Sequence, residues 1–171
     1  MERVLIVGCP GAGKSTMARQ LAEQLNLPLV HLDALFWLPD WKEREKDEFD
    51  ALVLEELRKP QWIIDGNFGR TLSTRLQYCD TVIYLDFSSF ACLRGVLKRV
   101  ITTHGKVRLD MGAGCPERFD WAFLKYVRNF NKTTREKMLS RIAAADPSVT
   151  RIILRNRRQV TKLLKTIREC Q

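Results

Sequence analysis

The chain of 171 residues contains no apolar run approaching the roughly 20 residues that a membrane-spanning helix needs, so we expect no membrane partner. Its first residues also lack the charged stretch, apolar stretch and cleavage site of a secretory signal. It has five cysteines, an odd number, and no C-x-x-C pair, which favours reduced thiols and disfavours a zinc site. The cysteines are Cys9, Cys79, Cys92, Cys115 and Cys170. From these absences we predict a cytoplasmic protein with a single domain over residues 1–171.

Acidic residues are scarce in the second half of the chain. Residues 1–86 carry 10 basic and 14 acidic side chains, whereas residues 87–171 carry 19 and 6. A basic excess of this size favours an anionic partner, which could be a triphosphate, a phosphorylated substrate or a nucleic acid. The sequence has no helix-turn-helix or zinc-finger spacing, so we expect no sequence-specific nucleic-acid binding.

The stretch Gly8–Ser15 reads Gly-Cys-Pro-Gly-Ala-Gly-Lys-Ser, which is the phosphate-binding P-loop pattern. It follows a short apolar run typical of a buried strand and precedes a segment with helical periodicity. Its glycines permit the backbone angles that turn successive N–H groups toward an anion, and the helix N-terminus adds further donors. Lys14 can reach the β- and γ-phosphates, and the Ser15 hydroxyl can bind Mg²⁺. We therefore predict a nucleoside-triphosphate site with Mg²⁺, held by Gly8, Cys9, Pro10, Gly11, Ala12, Gly13, Lys14, Ser15, Thr16 and, from the turn after the last strand, Arg155.

Two acidic residues follow apolar strand patterns and are candidates for the chemistry. Asp33 ends the second predicted strand, where a carboxylate could orient or deprotonate an acceptor hydroxyl. Asp65 ends the third, where it could be a second Mg²⁺ contact or a turn residue. Between them, residues 34–60 begin with an aromatic segment that could form either a hydrophobic flap over the core or the wall of a substrate pocket. We predict the pocket wall at Phe36 and Trp37, as part of a substrate-binding insert.

Arginines supply the remaining candidate residues. Arg70 and Arg75 could grip substrate phosphate or lie on a solvated helix face. Residues 104–119 contain three glycines and a proline, and we predict that they form a mobile basic lid that includes Arg108 and Arg118. Candidates for stabilising the charge of the transferred phosphoryl group are Arg94, Arg99, Arg128 and Arg135, together with Lys14.

Three further stretches carry a resemblance to a known family. They read His-Leu-Asp-Ala-Leu-Phe-Trp at residues 31–37, Trp-Ile-Ile-Asp-Gly-Asn at 62–67, and Asp-Met-Gly-Ala-Gly-Cys-Pro at 110–116. With the P-loop, they make the chain resemble the nucleoside-monophosphate kinase superfamily, and within it the adenylate-kinase-related proteins known as DNA topology modulation proteins. The resemblance spans nearly the whole chain. It implies a doubly wound α/β fold with a five-stranded parallel sheet of the adenylate-kinase-like P-loop type and a short lid. Asp33 matches the position at which shikimate-kinase-like proteins place an Asp against the acceptor hydroxyl.

Two functions remain open at this point. The first is an ATP-dependent kinase that phosphorylates a small molecule, either nucleotide-like or hydroxylated. The second is a P-loop regulator that uses ATP as a switch and binds DNA or a protein weakly, as the name of the resembled family implies. The chain lacks the Asn-Lys-x-Asp motif that reads guanine, but adenine is often recognised by backbone groups, so GTP also remains open.

Overall fold

The computed structural model describes residues 1–169, so the predicted thiol at Cys170 lies outside the described part. The strands are β1 (Arg3–Gly8), β2 (Leu29–His31), β3 (Trp37–Leu38), β4 (Lys42–Glu43), β5 (Trp62–Asp65), β6 (Thr81–Leu85) and β7 (Thr150–Leu154). The helices are α1 (Lys14–Leu25), α2 (Leu32–Phe36), α3 (Lys46–Leu57), α4 (Gly69–Tyr78), α5 (Ser89–Thr103), α6 (Trp121–Thr133), α7 (Arg135–Ala143) and α8 (Arg157–Glu169).

Five of the strands form one parallel sheet in the order β2-β5-β1-β6-β7. The register aligns Ile6 of β1 with Asp65 of β5 and with Ile83 of β6. In β5 and β6 every residue is buried, and in β1 only Arg3 is exposed. Parallel strands with continuous apolar sequence are buried on both faces by helices, which is the arrangement seen here. The predicted five-stranded parallel α/β fold is therefore confirmed.

The helices that surround the sheet fall into two groups by their mutual contacts. Helix α1 packs with α8, whereas α4 contacts α7, α7 contacts α6, and α6 contacts α5. Helix α5 begins where predicted, because the Ser88 hydroxyl accepts a hydrogen bond from the Ala91 amide at 3.3 Å and caps the first turn. Asp120 caps α6 in the same way through the Phe123 amide, at 3.0 Å.

The apolar and aromatic pattern of residues 120–145 predicts one long helix, and this prediction is wrong, since the segment forms two helices that meet at Thr134. At Thr134 φ is −118°, well away from the helical value, although its amide still bonds the Phe130 carbonyl at 2.9 Å. The break lets α6 bury Phe130 and its neighbours beside α5 while α7 buries Met138 beside α4. Periodicity alone does not show such a break, because both halves are amphipathic.

Residues 34–43 are irregular, as the proline and the aromatic residues predicted. The short helix α2 leads into β3, a single 3₁₀ turn at Pro39–Trp41, and β4, which pairs antiparallel with β3. Asp40 and Trp41 both have positive φ, at 63° and 59°, so the turn between the two strands is tight. The sequence analysis did not predict this hairpin, since neither strand exceeds two residues. Over residues 1–169, no helix combines the length and the apolar character that crossing a bilayer requires.

Candidate active site

One cavity of about 790 Å³ opens above the P-loop, at the carboxyl ends of the central strands. This is the edge of an open α/β sheet at which ligands usually bind. The P-loop forms one side of the cavity and α5 and the lid segment form another. Asp33 and the aromatic segment form the third side. Nucleotide and acceptor regions predicted from separate stretches thus share a single space.

The P-loop has the predicted strand–loop–helix geometry. Gly11 and Gly13 have φ of 83° and 98°, and Gly13 immediately precedes the first turn of α1. The Lys14 ammonium donates to the carbonyl oxygens of Gly8 at 3.0 Å and Cys9 at 3.4 Å. The predicted nucleotide-binding residues that line the cavity are Pro10, Gly11, Gly13, Lys14, Ser15 and Thr16. Gly8, Cys9 and Ala12 are buried beneath them and do not line it.

Two close contacts hold the P-loop in place. The Gly8 amide donates to the Asn67 side-chain oxygen at 3.0 Å, so the loop after β5 fixes the start of the P-loop. A Cβ built on Gly95 of α5 would lie 2.1 Å from the Gly11 carbonyl oxygen. Helix α5 therefore touches the P-loop backbone directly, and no larger residue fits at this position.

Asp33 lies in the first turn of α2, just beyond the end of β2, and lines the cavity with Lys14 and Ser15. Burial raises the pKa of the Asp33 carboxyl; the positive charge of Lys14 opposes this rise, and the nearby Asp65 carboxylate adds to it. A carboxyl group with a raised pKa is a better proton acceptor than an ordinary aspartate, and such groups mark functional sites.

Asp65 does not line the cavity. It is 4% exposed, and its carboxylate bonds to Nδ1 of His31. Burial acts to lower the pKa of His31, but the hydrogen bond to Asp65 and the charges of Asp65 and Asp110 together outweigh it and raise the pKa above the usual value. Its place outside the cavity lining and its bond to His31 disfavour a direct contact between Asp65 and Mg²⁺.

The oxygen donors that line the cavity do suit Mg²⁺. They include the Ser15 hydroxyl and the carboxylates of Asp33, Asp110, Glu117 and Asp120. Mg²⁺ is usually held by one or two carboxylates together with substrate phosphates, not by a dedicated protein cage. Consistent with this, residues 1–169 contain no group of three or more His, Cys, Asp or Glu side chains that could hold a metal by themselves.

The aromatic segment contributes Trp37 and Trp41 to the cavity wall, with Phe68 from the loop after β5. Phe36 does not line the cavity, which corrects the prediction for that residue. Its ring packs against Phe49 at 5.2 Å and Phe68 at 4.9 Å between centroids, so it supports the wall from behind.

Residues 37–41, which we call the flap, are in contact with the lid at residues 104–119. Trp41 Nε1 donates to the Pro116 carbonyl at 3.2 Å, and the thiol of Cys115 contacts the Leu38 carbonyl at 3.1 Å. A Cβ on Gly112 would lie 1.9 Å from the Trp37 carbonyl oxygen, so glycine is required at this contact. The Arg118 guanidinium stacks over the Trp41 ring at 5.0 Å. The flap and the lid thus form one continuous surface.

Only Arg99 of the four arginines predicted to stabilise phosphoryl charge lines the cavity. Arg94 and Arg128 are exposed and do not line it. Arg135 is tied to Asp86 by two bonds of 2.6 and 2.7 Å, which join α7 to the end of β6. These three assignments are corrected, because each helix turns the side chain away from the P-loop. Arg155, which was predicted to bind the nucleotide, does not line the cavity. Arg157 lines it instead.

Arg70 and Arg75 lie on α4, away from the cavity, which corrects the prediction that they bind substrate; for Arg70 the alternative, an exposed helix face, is the one observed. Arg70 is on the surface and pairs with Asp47 and Asp50, at 3.0 and 2.8 Å. Arg75 is fully buried. Its guanidinium donates to the carbonyls of Gly66, Asn67 and Phe68 and to the Thr71 hydroxyl. This arginine is therefore structural: it holds the loop whose Asn67 fixes the P-loop.

Some cavity residues were not predicted as site residues. They include Arg19, Trp41, Asn67, Phe68, Lys98, Asp110, Glu117, Tyr126 and Arg157. Asn67 and Glu117 had a signal in the sequence. Asn67 belongs to the Asp-Gly-Asn stretch at the end of β5, and Glu117 is an acid within a basic segment. Arg157 lies in the same basic turn as Arg155, two residues later, whereas Tyr126 had no signal, since an exposed helix residue reads the same in any context.

Solved structures show how widely this architecture is shared. The shikimate kinase from Acinetobacter baumannii in complex with shikimate superposes with a TM-score of 0.63, at 16% identity, over 100% of this chain and 95% of that one. Shikimate kinase from Bacteroides thetaiotaomicron gives 0.56 at 18% identity, over 99% of this chain and 97% of that one. The chain has the P-loop kinase fold.

The amino-acid sequence also matches one family model and several known kinases. The model of the ATPase family associated with various cellular activities (AAA) matches residues 4–64, which include the P-loop. Shikimate kinase of Rhodococcus erythropolis is 33% identical over 106 residues, 54% of this chain and 63% of its own length. Cytidylate kinase of Pyrobaculum islandicum is 31% identical over 104 residues, 52% of this chain and 55% of its own. The chain thus spans between about half and two thirds of these relatives.

Proposed function

We propose that the protein is an ATP-dependent kinase that transfers the γ-phosphoryl group to a small-molecule acceptor. The observation that carries this proposal is the shared cavity, in which Lys14 and Ser15 of the P-loop face the same space as Asp33 and the flap. An in-line transfer needs donor and acceptor in one enclosed site. The relatives are named for kinases of a hydroxylated acid and of a nucleotide, which supports a small acceptor.

The proposed roles follow from the placement of the residues. Lys14 and the P-loop amides bind the phosphates, and Arg99 and Arg108 face the transferred group from α5 and the lid. Ser15 and the Asp110 carboxylate hold Mg²⁺, which supplies neutralisation of phosphate charge when bound. Residues 34–60 form the acceptor side, with Trp37 in its wall, and residues 104–119 form the lid.

The direct test is a phosphotransfer screen with ATP and Mg²⁺ against nucleotides, nucleosides and hydroxylated metabolites. We expect ADP release to rise well above its acceptor-free rate with one class of compound. Binding of ATP without stimulation by any of these classes would instead support the regulator.

Replacing Asp33 with Asn should slow turnover by about 10–100-fold, the low end for a general base, since a loose phosphoryl transfer asks little of the base. Because the base works when ionised and its pKa is raised, the wild-type rate should fall with decreasing pH earlier than for an ordinary aspartate. The variant should lack this acid limb. The measurement is the pH profile of turnover.

The control for this variant is Asp40→Asn, an exposed flap carboxylate that does not line the cavity. It should keep both the rate and the acid limb. An unchanged profile in Asp33→Asn would make Asp33 a structural residue.

We also propose membership in the DNA topology modulation group, on the three stretches that resemble it. Residues from all three reach the same cavity, through Asp33 and Trp37, Asn67, and Asp110. The likeness is therefore concentrated at the ligand site.

DNA binding by this protein should be weak and non-specific. Of the C-terminal basic residues, Arg151 is engaged by carbonyls of Ile142 and Val149, and Arg157 lines the cavity. The remaining patch is small: Arg155, Arg158, Lys162 and Arg168, with Lys165 beside Glu169. A patch of this size predicts a loss of about 100-fold in affinity between 50 and 200 mM salt.

Fluorescence anisotropy with two duplexes of unrelated sequence measures this dependence. Equal affinities that fall together with salt are expected. Tight binding to only one duplex at about 150 mM salt, where non-specific contacts are weak, would favour the regulator.

A further inference from the structure

Glu117 is a buried acid at the base of the basic lid. It is 4% exposed, and its Oε1 accepts hydrogen bonds from Nε of Arg99 at 3.2 Å and from Nη2 of the same residue at 3.0 Å. Its Oε2 lies 3.2 Å from Nε of Arg108. One carboxylate therefore pairs with two guanidinium groups, one from α5 and one from the lid.

The backbone fixes this carboxylate in place. The Glu117 amide donates to the Lys106 carbonyl at 2.9 Å, and the Glu117 carbonyl accepts from the Gly105 amide at 2.9 Å. Val107 and Pro116 also bridge across the same loop. The two ends of the lid are joined at Glu117, so its backbone cannot move away without opening the lid.

Both arginines that Glu117 holds line the P-loop cavity. Two guanidinium groups directed at one site repel each other, and burial together with the charge of Arg108 lowers the pKa of Arg99, while Glu117 opposes this. Preorganised cations stabilise a transferring phosphoryl group best when they are held before the reaction.

Glu117 holds its two arginines in different ways. Arg99 is hydrogen-bonded to Glu117, whereas no aligned hydrogen bond joins Glu117 Oε2 to Nε of Arg108 in spite of their short distance. Arg108 is thus held by charge and retains N–H groups that can turn toward a phosphate.

We propose that Glu117 is a positioning residue that holds Arg99 and Arg108 against the terminal phosphate of the bound nucleotide. The proposal rests on the proposed kinase function. It assigns to Glu117 a γ-phosphate-specific effect exerted through the two arginines, beyond the stability of the lid.

The test compares Glu117→Gln with wild type in the affinity for ADP and for a non-hydrolysable ATP analogue, both with Mg²⁺. Glutamine keeps the size of the side chain but removes its charge. The guanidinium groups of Arg99 and Arg108 then repel each other and are no longer held toward the phosphate. We expect the analogue to bind about tenfold more weakly, roughly the loss of one charge-assisted hydrogen bond, and ADP affinity to change less than about twofold. Glu117→Asp, which keeps the charge, should recover part of the lost affinity.

Asp86→Asn is the matched control, because Asp86 pairs with Arg135 through two bonds but neither residue lines the cavity. It should leave both affinities unchanged. Two results for Glu117→Gln would overturn the proposal: equal losses of affinity for ADP and the analogue, or losses that follow the melting temperature of the variant. Either would mean that Glu117 only stabilises the lid. A wild-type protein that binds the analogue no more tightly than ADP would also overturn the proposal.

These binding measurements separate the two proposals. If no acceptor is phosphorylated but the analogue is still discriminated from ADP through Glu117, the kinase function fails and the positioning role stands. If phosphoryl transfer is found and Glu117→Gln does not alter discrimination, the reverse holds.

Discussion

Replacing Lys14 with Ala is expected to lower turnover by about 100-fold or more, the scale of losing one preorganised charge in a phosphoryl-transfer site. Lys14 is the cation that the P-loop itself brings to the cavity, and its ammonium is already directed by the carbonyls of Gly8 and Cys9. Nucleotide affinity should fall as well, because the β- and γ-phosphates lose their direct cation. Titration with an ATP analogue and steady-state turnover measure the two effects.

The control is Lys125→Ala, which removes an exposed lysine of α6 that does not line the cavity. It should match wild type in both measurements. Unchanged affinity and turnover in Lys14→Ala would refute the nucleotide site as a whole, because no other residue carries the P-loop role.

Replacing Arg75 with Met should have the largest effect on stability. Arg75 is fully buried, and the change leaves the carbonyls of Gly66 and Asn67 without their donor, whereas the Phe68 carbonyl keeps the Thr71 amide. Each unsatisfied buried group costs about 1–3 kcal/mol, so we expect the free energy of unfolding to fall by about 3 kcal/mol or more. That is a large part of the 5–15 kcal/mol typical of a domain. Urea unfolding followed by circular dichroism measures it.

The matched control lies on the same helix. Arg70→Met removes an exposed arginine that pairs with Asp47 and Asp50, and surface pairs of this kind contribute little to stability. Because Asn67 links the Arg75 loop to the Gly8 amide, Arg75→Met should also weaken nucleotide binding under conditions where it remains folded. Equal stability of the two variants would contradict the structural role of Arg75.

These two arginines also show what the sequence could and could not predict. Both were expected at the acceptor because arginine on a helix after a catalytic strand suits phosphate, yet one is buried and the other pairs with α3. Helical phase depends on where the neighbouring elements pack, and those contacts come from distant parts of the chain. By contrast, the P-loop and α5 were predictable, because each is specified by local periodicity and by residues next to it in sequence.

The same distinction between local pattern and distant contacts explains the outcomes for the lid and for residues 120–145. The glycines of residues 104–119 predicted an irregular segment, but the pairing of Glu117 with Arg99 joins residues 18 positions apart and left no periodic trace. No glycine or proline marks the break between α6 and α7 at Thr134. The break depends on tertiary packing, and the sequence pattern therefore did not predict it. Asp33 does line the cavity, although it lies in the first turn of α2 and not at the end of the strand, where it was predicted.

The docking of the lid on the flap has a thermodynamic consequence. Arg108 of the lid and Trp37 and Trp41 of the flap line the same cavity, on its proposed phosphate and acceptor sides. Binding of any compound that stabilises the flap is therefore energetically coupled to binding of the nucleotide. Linkage makes this coupling reciprocal, so the factor by which an acceptor tightens ATP binding equals the factor by which ATP tightens the acceptor. The proposed acceptor can thus be sought without any catalysis, as the compound that raises the affinity for a non-hydrolysable nucleotide analogue.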